Sequence, residues 1–294
     1  MATTVRSILK GHGIHPRKRL GQSFLEDKNI IDKIVRVADI RAQDFIVEIG
    51  AGLGILTERL ALQARHVIAI DVDPRMAAIL RARLQDNPQV EIVEQDVLTF
   101  DFSSLCNHDK LPDKLKIIGN VPYNISSPIL FRLIKYRHYI SEMLLLLQKE
   151  VADRLTALPG SKEYGIPTVI VDMYAKATRE MNVPAACFYP PPQVTSSLVK
   201  LRTREAPLVH LTDEDFFPRI VKCAFSQRRK TLLNNLRHLT RPGLAEADLV
   251  RVLNGLGIDG QRRGETLSAV EFGRLSNSLS SYVETTNDDL AIRD

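Results

Sequence analysis

The segment from Asp44 to Gln63, "DFIVEIGAGLGILTERLALQ", constrains the fold more than any other part of the chain. A short β-rich run stops at a turn holding Gly50, Gly52 and Gly54 and then reads as a helix. A strand that ends in glycines and feeds a helix is the first half of a βαβ unit. The same alternation recurs downstream. "HVIAIDVD" is an apolar strand, and "PRMAAILRARLQ" is a helix opened by Pro74, a residue suited to a first helical turn. "VEIVEQD" and "KLKIIGN" are further strands, the latter leading into the helical "SPILFRLIKY". "SEMLLLLQ" runs into "KEVADRLTAL" in the same way. The strands are nearly continuous apolar runs rather than alternating ones, which predicts a parallel sheet covered on both faces.

The texture changes after Leu158. "TVIVDMYAKATREM" carries both helix and strand signals, and no boundary can be set within it. "FYPPPQVTSSLVKLR" reads as a proline turn feeding a β-branched strand. Beyond about Thr203 the chain is helical, punctuated by "RPG", "NGLG" and "DGQRRGE". The expected organisation is an α/β domain over 1–203, its first 22 residues a basic arm, and a smaller all-helical domain over 204–294.

The strand ends carry chemistry. Glycines after a strand let backbone approach a ligand at the carboxyl edge of the sheet. The spacing here is G-x-G-x-G, with Ile55 where a dinucleotide fingerprint has its third glycine, which weighs against a nicotinamide dehydrogenase. Asp71 ends the second strand, where a carboxylate can accept from both hydroxyls of a ribose. Asp96 ends the third and could accept from an adenine amino group. Each of these alone could be a turn or cap residue. Together they describe an adenosine-containing ligand without a pyrophosphate, and S-adenosylmethionine fits best. The fourth strand ends in "GNVPYNISSP". Proline has no N–H for a strand ladder, so Asn120, Pro122 and Tyr123 form either an ordinary turn or a ligand-facing corner.

The formal net charge is +5, and it is concentrated. Residues 1–25 hold five Lys/Arg and residues 216–241 hold seven, with no acid in either block. Such blocks suit a polyanion partner, the alternative being two solvated basic faces. Cys106, Cys187 and Cys223 are widely spaced and make no metal-like pair, so no metal is expected and the thiols read as free in a reducing cytosol. No apolar run approaches bilayer length and no leader-like start is present, so the expectation is a cytoplasmic protein that meets no membrane.

The motifs "RKRLGQSFLED", "VEIGAGLGILTERL", "IAIDVDP", "QDVLTFDF", "IGNVPYNISSPI", "LLLQKEVADRL", "FYPPPQVTSSLVKL" and "AFSQRRKTLLNNL" follow one another in the order found in a known family. The chain resembles the ribosomal-RNA adenine dimethyltransferases, most of all their bacterial small-subunit branch. The resemblance runs from about Pro16 to Leu267. It implies a Rossmann-like S-adenosylmethionine-dependent methyltransferase sheet with a helical RNA-binding domain. It also implies that Gln22, Ser23 and Leu25 fold over the cofactor, with Ser23 standing where the family usually carries Asn or His. Gly50 and Gly52 would face the methionine part. Asp71 with Val72 would hold the ribose, Asp96 with Val97 the adenine, and Asn120 would sit between cofactor and target base.

The target chemistry gives "NVPY" a task. The adenine amino group is a poor nucleophile because its lone pair is delocalised into the ring. The Asn120 side-chain oxygen and the Pro122 carbonyl could accept its N–H groups and aim the lone pair at the sulfonium methyl. Proline sets the carbonyl direction in advance. Tyr123 would stack on the extruded base, with Phe188 of "FYPPP" opposite it. Positioning of this kind can supply about 7–11 kcal/mol. Arg17, Lys18, Arg19, Lys222, Arg228, Arg229 and Lys230 are the expected contacts to the RNA backbone. The implied substrate is a pair of adjacent adenines in the 3′-terminal hairpin loop of small-subunit ribosomal RNA. They would be dimethylated by a monomer within a pre-30S-type particle. The alternatives are a large-subunit adenine methyltransferase conferring macrolide resistance and a non-catalytic assembly or transcription factor on the same fold.

Overall fold

In a computed structural model, which describes residues 4–106, 114–239 and 245–280, the run after Asp44 forms a strand with all five residues buried. The strands are β1 (Phe24–Leu25), β2 (Phe45–Ile49), β3 (His66–Asp71), β4 (Val90–Glu94), β5 (Leu115–Asn120), β6 (Ile140–Gln148), β7 (Ala175–Val183), β8 (Phe188–Tyr189) and β9 (Ser196–Thr203). Seven of them form one sheet in the order β4-β3-β2-β5-β6-β9-β7. β4, β3, β2, β5 and β6 are mutually parallel, and β9 and then β7 close the edge antiparallel. β1 and β8 pair separately, Phe24 opposite Tyr189 and Leu25 opposite Phe188.

The chain divides into two compact units. The first holds residues up to Thr156 and Ala175–Arg204, and the second holds Ala157–Tyr174 and the chain from Glu205. In the first, helices α1 (Val5–Gly11), α2 (Lys28–Ala38), α3 (Ile55–Ala61), α4 (Pro74–Leu84), α5 (Ser126–Lys135) and α6 (Lys149–Leu155) accompany the sheet. α2 shows why they form. Its start is capped by Asp27, whose carboxylate accepts from the N–H groups of Asn29 and Ile30. Ile31, Ile34, Val35 and Ala38 then fall on one face and pack with Ile46, Val67 and Ile118 of the sheet.

The second unit contains α7 (Ile166–Tyr174), α8 (Phe216–Ala224), α9 (Leu232–Leu236), α10 (Glu246–Gly255) and α11 (Ala269–Ser280). Phe216, Phe217, Ile220, Phe272 and Leu275 are buried within it. The ambiguous "TVIVDMYAKATREM" divides between Tyr174 and Ala175 into helix and strand. Val169, Ile170, Val171, Met173 and Tyr174 are all buried. A segment apolar all round shows no period that could distinguish helix from strand. Among the described residues no helix is long and apolar enough to cross a membrane.

Candidate active site

β2 and β5 are neighbours at the middle of the sheet, with β3 and β4 on one side and β6 on the other. This is a point where successive crossovers leave in opposite directions, and ligands of open α/β sheets bind outside the carboxyl ends of such strands. One cavity lies there. It is lined by Gly50, Gly52, Asp71 and Val72, by Gln95, Asp96 and Val97, by Asn120 to Tyr123, and by the segment Leu20–Phe24. Thus Gln22, Ser23, Gly50, Gly52, Asp71, Val72, Asp96, Val97, Asn120, Pro122 and Tyr123 come together although about a hundred residues separate the first from the last.

The glycine turn is built by backbone geometry that other residues resist. Gly50 has φ +73° and Gly52 has φ +57°, in the left-handed region where a Cβ costs about 1–2 kcal/mol. A Cβ on Gly50 would stand 2.9 Å from the backbone oxygen of Asn120, and one on Gly52 would stand 2.9 Å from the Phe24 ring. The turn is tied to β3 at both ends. The N–H of Gly50 donates to the Ile70 carbonyl at 2.9 Å, and that of Gly52 donates to Asp71 Oδ2 at 2.8 Å.

Asp71 Oδ1 accepts from the Asp73 N–H at 2.9 Å. Burial raises the Asp71 carboxyl, and these two backbone donors oppose the rise. Each carboxylate oxygen has a second acceptor site, so ribose hydroxyls can still be received. Asp96 is exposed and lies two residues beyond the end of β4 rather than in it. Its Oδ1 accepts from the Leu98 N–H and its carbonyl from the Thr99 N–H, which makes it a turn residue as well as a wall of the cavity.

Two acids that sequence reasoning passed over take part. Glu48, inside β2, is buried with its Oε2 lacking a hydrogen-bond partner, and burial pushes its carboxyl up to about 8. Asp73 is 1% exposed and is held by Arg75 through both Nε and Nη2, by Gln22 Nε2 at 2.8 Å and by Arg17 at 3.7 Å. The Arg75 hydrogen bonds bring its carboxyl down from 3.8 to about 2. A carboxylate with a depressed folded value stabilises the native state above its unfolded value, and that stabilisation is lost as pH falls toward the folded value. Asp73→Asn is therefore expected to lower stability by about 2 kcal/mol at neutral pH. It should also flatten the fall in stability between about pH 4 and pH 2. Denaturant melts of both proteins across that range check this, and superimposable pH curves would contradict it.

At the end of β5, Asn120 Nδ2 donates to the Ser23 carbonyl at 2.7 Å. The Pro122 carbonyl accepts from the Ile125 N–H at 3.2 Å and keeps its second lone pair. The Tyr123 hydroxyl is hydrogen-bonded to the hydroxyl of Ser196, a buried residue at the start of β9. Burial raises the Tyr123 phenol, and the Ser196 contact opposes this.

Two expected members are elsewhere. Leu25 lines a smaller cavity behind Gly50 and Asn120, beside Glu48. Phe188 is not opposite Tyr123 across the cavity. Pairing with β1 turns it into the hydrophobic core with Leu25, Ile34 and Leu198, where it is 2% exposed. Its aromatic neighbour Tyr189 instead packs under the Arg6 guanidinium, 5.2 Å from the ring centre.

The expected RNA cations also separate. Arg19, Lys222, Arg229 and Lys230 are exposed. Arg17 is drawn to Asp73, and Arg228 bonds Glu265 at 3.0 Å and the Lys162 carbonyl at 2.8 Å, so both hold the protein itself. The side chain of Lys18 lies outside the described residues, as does Arg241 of the second basic block.

The profile of the family "Ribosomal RNA adenine dimethylase" matches residues 14–274. A ribosomal RNA small subunit methyltransferase A of Syntrophus aciditrophicus (strain SB) is 45% identical over 278 residues, covering 95% of this chain and 99% of the relative. The protein of the same name from Geobacter metallireducens is 43% identical over 271 residues, 92% of this chain and 98% of the relative. Among solved structures, a dimethyladenosine transferase from Plasmodium falciparum superposes with a TM-score of 0.75 at 30% identity, covering 88% of this chain and 98% of the other. The 23S rRNA methyltransferase ErmE superposes with a TM-score of 0.66 at 26% identity, covering 87% and 99%.

Proposed function

The chain belongs to the ribosomal RNA adenine dimethylase family, and we propose that it dimethylates the exocyclic amino groups of two adjacent adenines. These lie in the 3′-terminal hairpin loop of small-subunit ribosomal RNA, and S-adenosylmethionine is the methyl donor. The observation that carries this reading is that the Asn120–Pro122–Tyr123 corner opens into the same cavity as the glycine turn and Asp71. A non-catalytic protein on this fold has no need of that convergence. The relatives at 43–45% identity are named for the small subunit, which favours it over the large-subunit alternative.

The residues present fit that donor. Gly50 and Gly52 line the cavity, and their lack of a Cβ lets the turn pack directly against the Asn120 backbone and the Phe24 ring that border it. Asp71 offers acceptors to a ribose and Asp96 to an adenine amino group. Glu48 lines the neighbouring smaller cavity with Gly50 and Asn120 and has one oxygen without a partner. S-adenosylmethionine, when bound, supplies an electrophilic methyl group on a sulfonium. The chain's own part is to place the acceptor amine. Asn120 Oδ1 and the Pro122 carbonyl take the amine N–H groups, withdrawing its lone pair from conjugation and pointing it at the donor. Tyr123 offers a ring face for the base, its hydroxyl anchored on Ser196 so that the ring is held in one orientation. Catalysis of this kind rests on orientation rather than on a covalent intermediate.

We read the protein as a cytoplasmic monomer acting on a precursor small-subunit particle, with the 204–294 region as its RNA-binding domain and the 1–22 arm as a second basic contact. Lys222, Arg229 and Lys230 are exposed cations in that region. Each phosphate contact to single-stranded RNA contributes about 0.7 to the salt slope. Replacing the three together by Ala should reduce the slope of log affinity against log salt by about 2, in a titration by fluorescence anisotropy. An unchanged slope would remove them from the interface. The reading as a whole is tested by offering undermodified small and large subunits with labelled S-adenosylmethionine. Label is expected in small-subunit adenine only.

A further inference from the structure

A side-chain amide is nearly symmetric in shape, so Asn120 can serve as an acceptor only if something determines which of its ends faces the ligand. The Ser23 backbone carbonyl lies 2.7 Å from one end. A carbonyl only accepts, so the –NH2 end must be the one turned to it and Oδ1 is left for an incoming N–H donor. The position of that carbonyl is itself determined on three sides. The Ser23 hydroxyl donates to the Pro190 carbonyl at 2.7 Å. The next two residues, Phe24 and Leu25, pair with Tyr189 and Phe188. The preceding Gln22 donates to the buried Asp73 carboxylate and accepts from the Arg17 N–H, both at 2.8 Å. Of the three, the hydroxyl is the one contact made by Ser23's own side chain.

We infer that Ser23 is a positioning residue for the methyl transfer. Its hydroxyl ties the Leu20–Phe24 segment to the proline loop at Pro190, and its carbonyl thereby sets the orientation of the Asn120 amide. The effect passes through Asn120 and not through the donor, although Ser23 also lines the cavity. The Leu20–Phe24 segment and the loop after β8 are thus joined at the residue that orients the amine acceptor. This inference rests on the reading of Asn120 as the acceptor of the amine N–H.

The test compares Ser23→Ala with the isosteric pair Ser23→Thr and Ser23→Val, using Asn120→Ala as a reference. Thr and Val differ at this site by the hydroxyl alone. Loss of one orienting hydrogen bond is expected to lower kcat about tenfold in Ser23→Ala and Ser23→Val. The Thr variant should stay within about threefold of the parent on the same scale. Rates are compared at saturating S-adenosylmethionine and RNA, with affinities measured by calorimetry and anisotropy, so that any change in donor binding is separated from the change in kcat. A second readout is the Asn120 side-chain amide signal in a nitrogen-15 spectrum. It should broaden or shift in the Ala and Val variants and keep its parent position in Thr. Equal rates for Thr and Val would overturn the inference, as would a loss in Ser23→Val carried entirely by weaker donor binding. If Ser23→Val is fully active while Asn120→Ala is dead, positioning by Ser23 fails and the site reading stands. If Asn120→Ala keeps its turnover, the site reading fails, and the inference with it.

Discussion

Asn120→Ala is expected to lower kcat by about a hundred- to a thousandfold, the range seen when one preorganised polar group at a reacting centre is removed. The donor and the RNA should still bind. The Gly52–Asp71 contact and the Asp73 cluster do not involve the Asn120 side chain. The substitution deletes two things together: the acceptor oxygen, and the –NH2 bond that holds the Ser23 carbonyl. The amine would then keep its lone pair in conjugation with the ring and lose its aim. Single-turnover methyl transfer separates this from binding, because a fall in kcat with an unchanged dissociation constant marks an interaction made at the reacting centre. A variant that keeps its parent rate at saturating RNA would take Asn120 out of the mechanism.

Gly50→Ala should give the largest structural effect. Two costs coincide there. The φ of +73° is strained for alanine, and the new methyl would stand 2.9 Å from the backbone oxygen of Asn120. Backbone of β5 cannot swing aside as a flexible side chain can, so either the turn or the catalytic corner must move. A combined loss of about 2–4 kcal/mol is expected from the strain and the contact. Donor affinity should fall by at least about tenfold, since turn and corner bound one cavity. Gly160→Ala is the comparison. Its φ is +85° but a Cβ there meets nothing within 4 Å, so it should cost only the strain, about 1–2 kcal/mol, and leave donor binding intact. If both substitutions cost the same in denaturant melts and neither weakens donor binding, the close contact at Gly50 has no consequence.

Much of this site was legible because it is written at strand ends. Continuous apolar runs reveal central parallel strands, and the residues just past each run must sit at the carboxyl edge. Gly50, Asp71 and Asn120 lie at or just past the ends of their strands, and Asp96 lies two residues past its own. The contacts that hold the site together were not legible, since they join distant positions. Asp73 before Pro74 reads as an ordinary helix cap. Its burial comes from Arg17 and Gln22, more than fifty positions away in the chain. Ser196 carries no local mark of its contact with Tyr123. Glu48 sits at one position of an apolar strand, and only the packed structure shows its second oxygen without a partner. A loop aromatic beside prolines looks free to stack, whereas in the structure pairing with Leu25 places Phe188 in the core. Arg228 looked like its exposed neighbours Arg229 and Lys230, but Glu265 and the Lys162 carbonyl claim it. Charge blocks give the polarity of a face without showing which cations are already paired.

The central claim is that one cavity brings a methyl donor to adenine amino groups of small-subunit RNA. It is tested most directly by digesting small subunits after reaction with labelled S-adenosylmethionine and identifying the modified nucleosides by mass. The account predicts dimethyladenosine at two adjacent positions of the 3′-terminal hairpin loop, absent when Asn120→Ala replaces the parent. Label on another base, on the large subunit, or at those adenines with Asn120→Ala as readily as with the parent would contradict it.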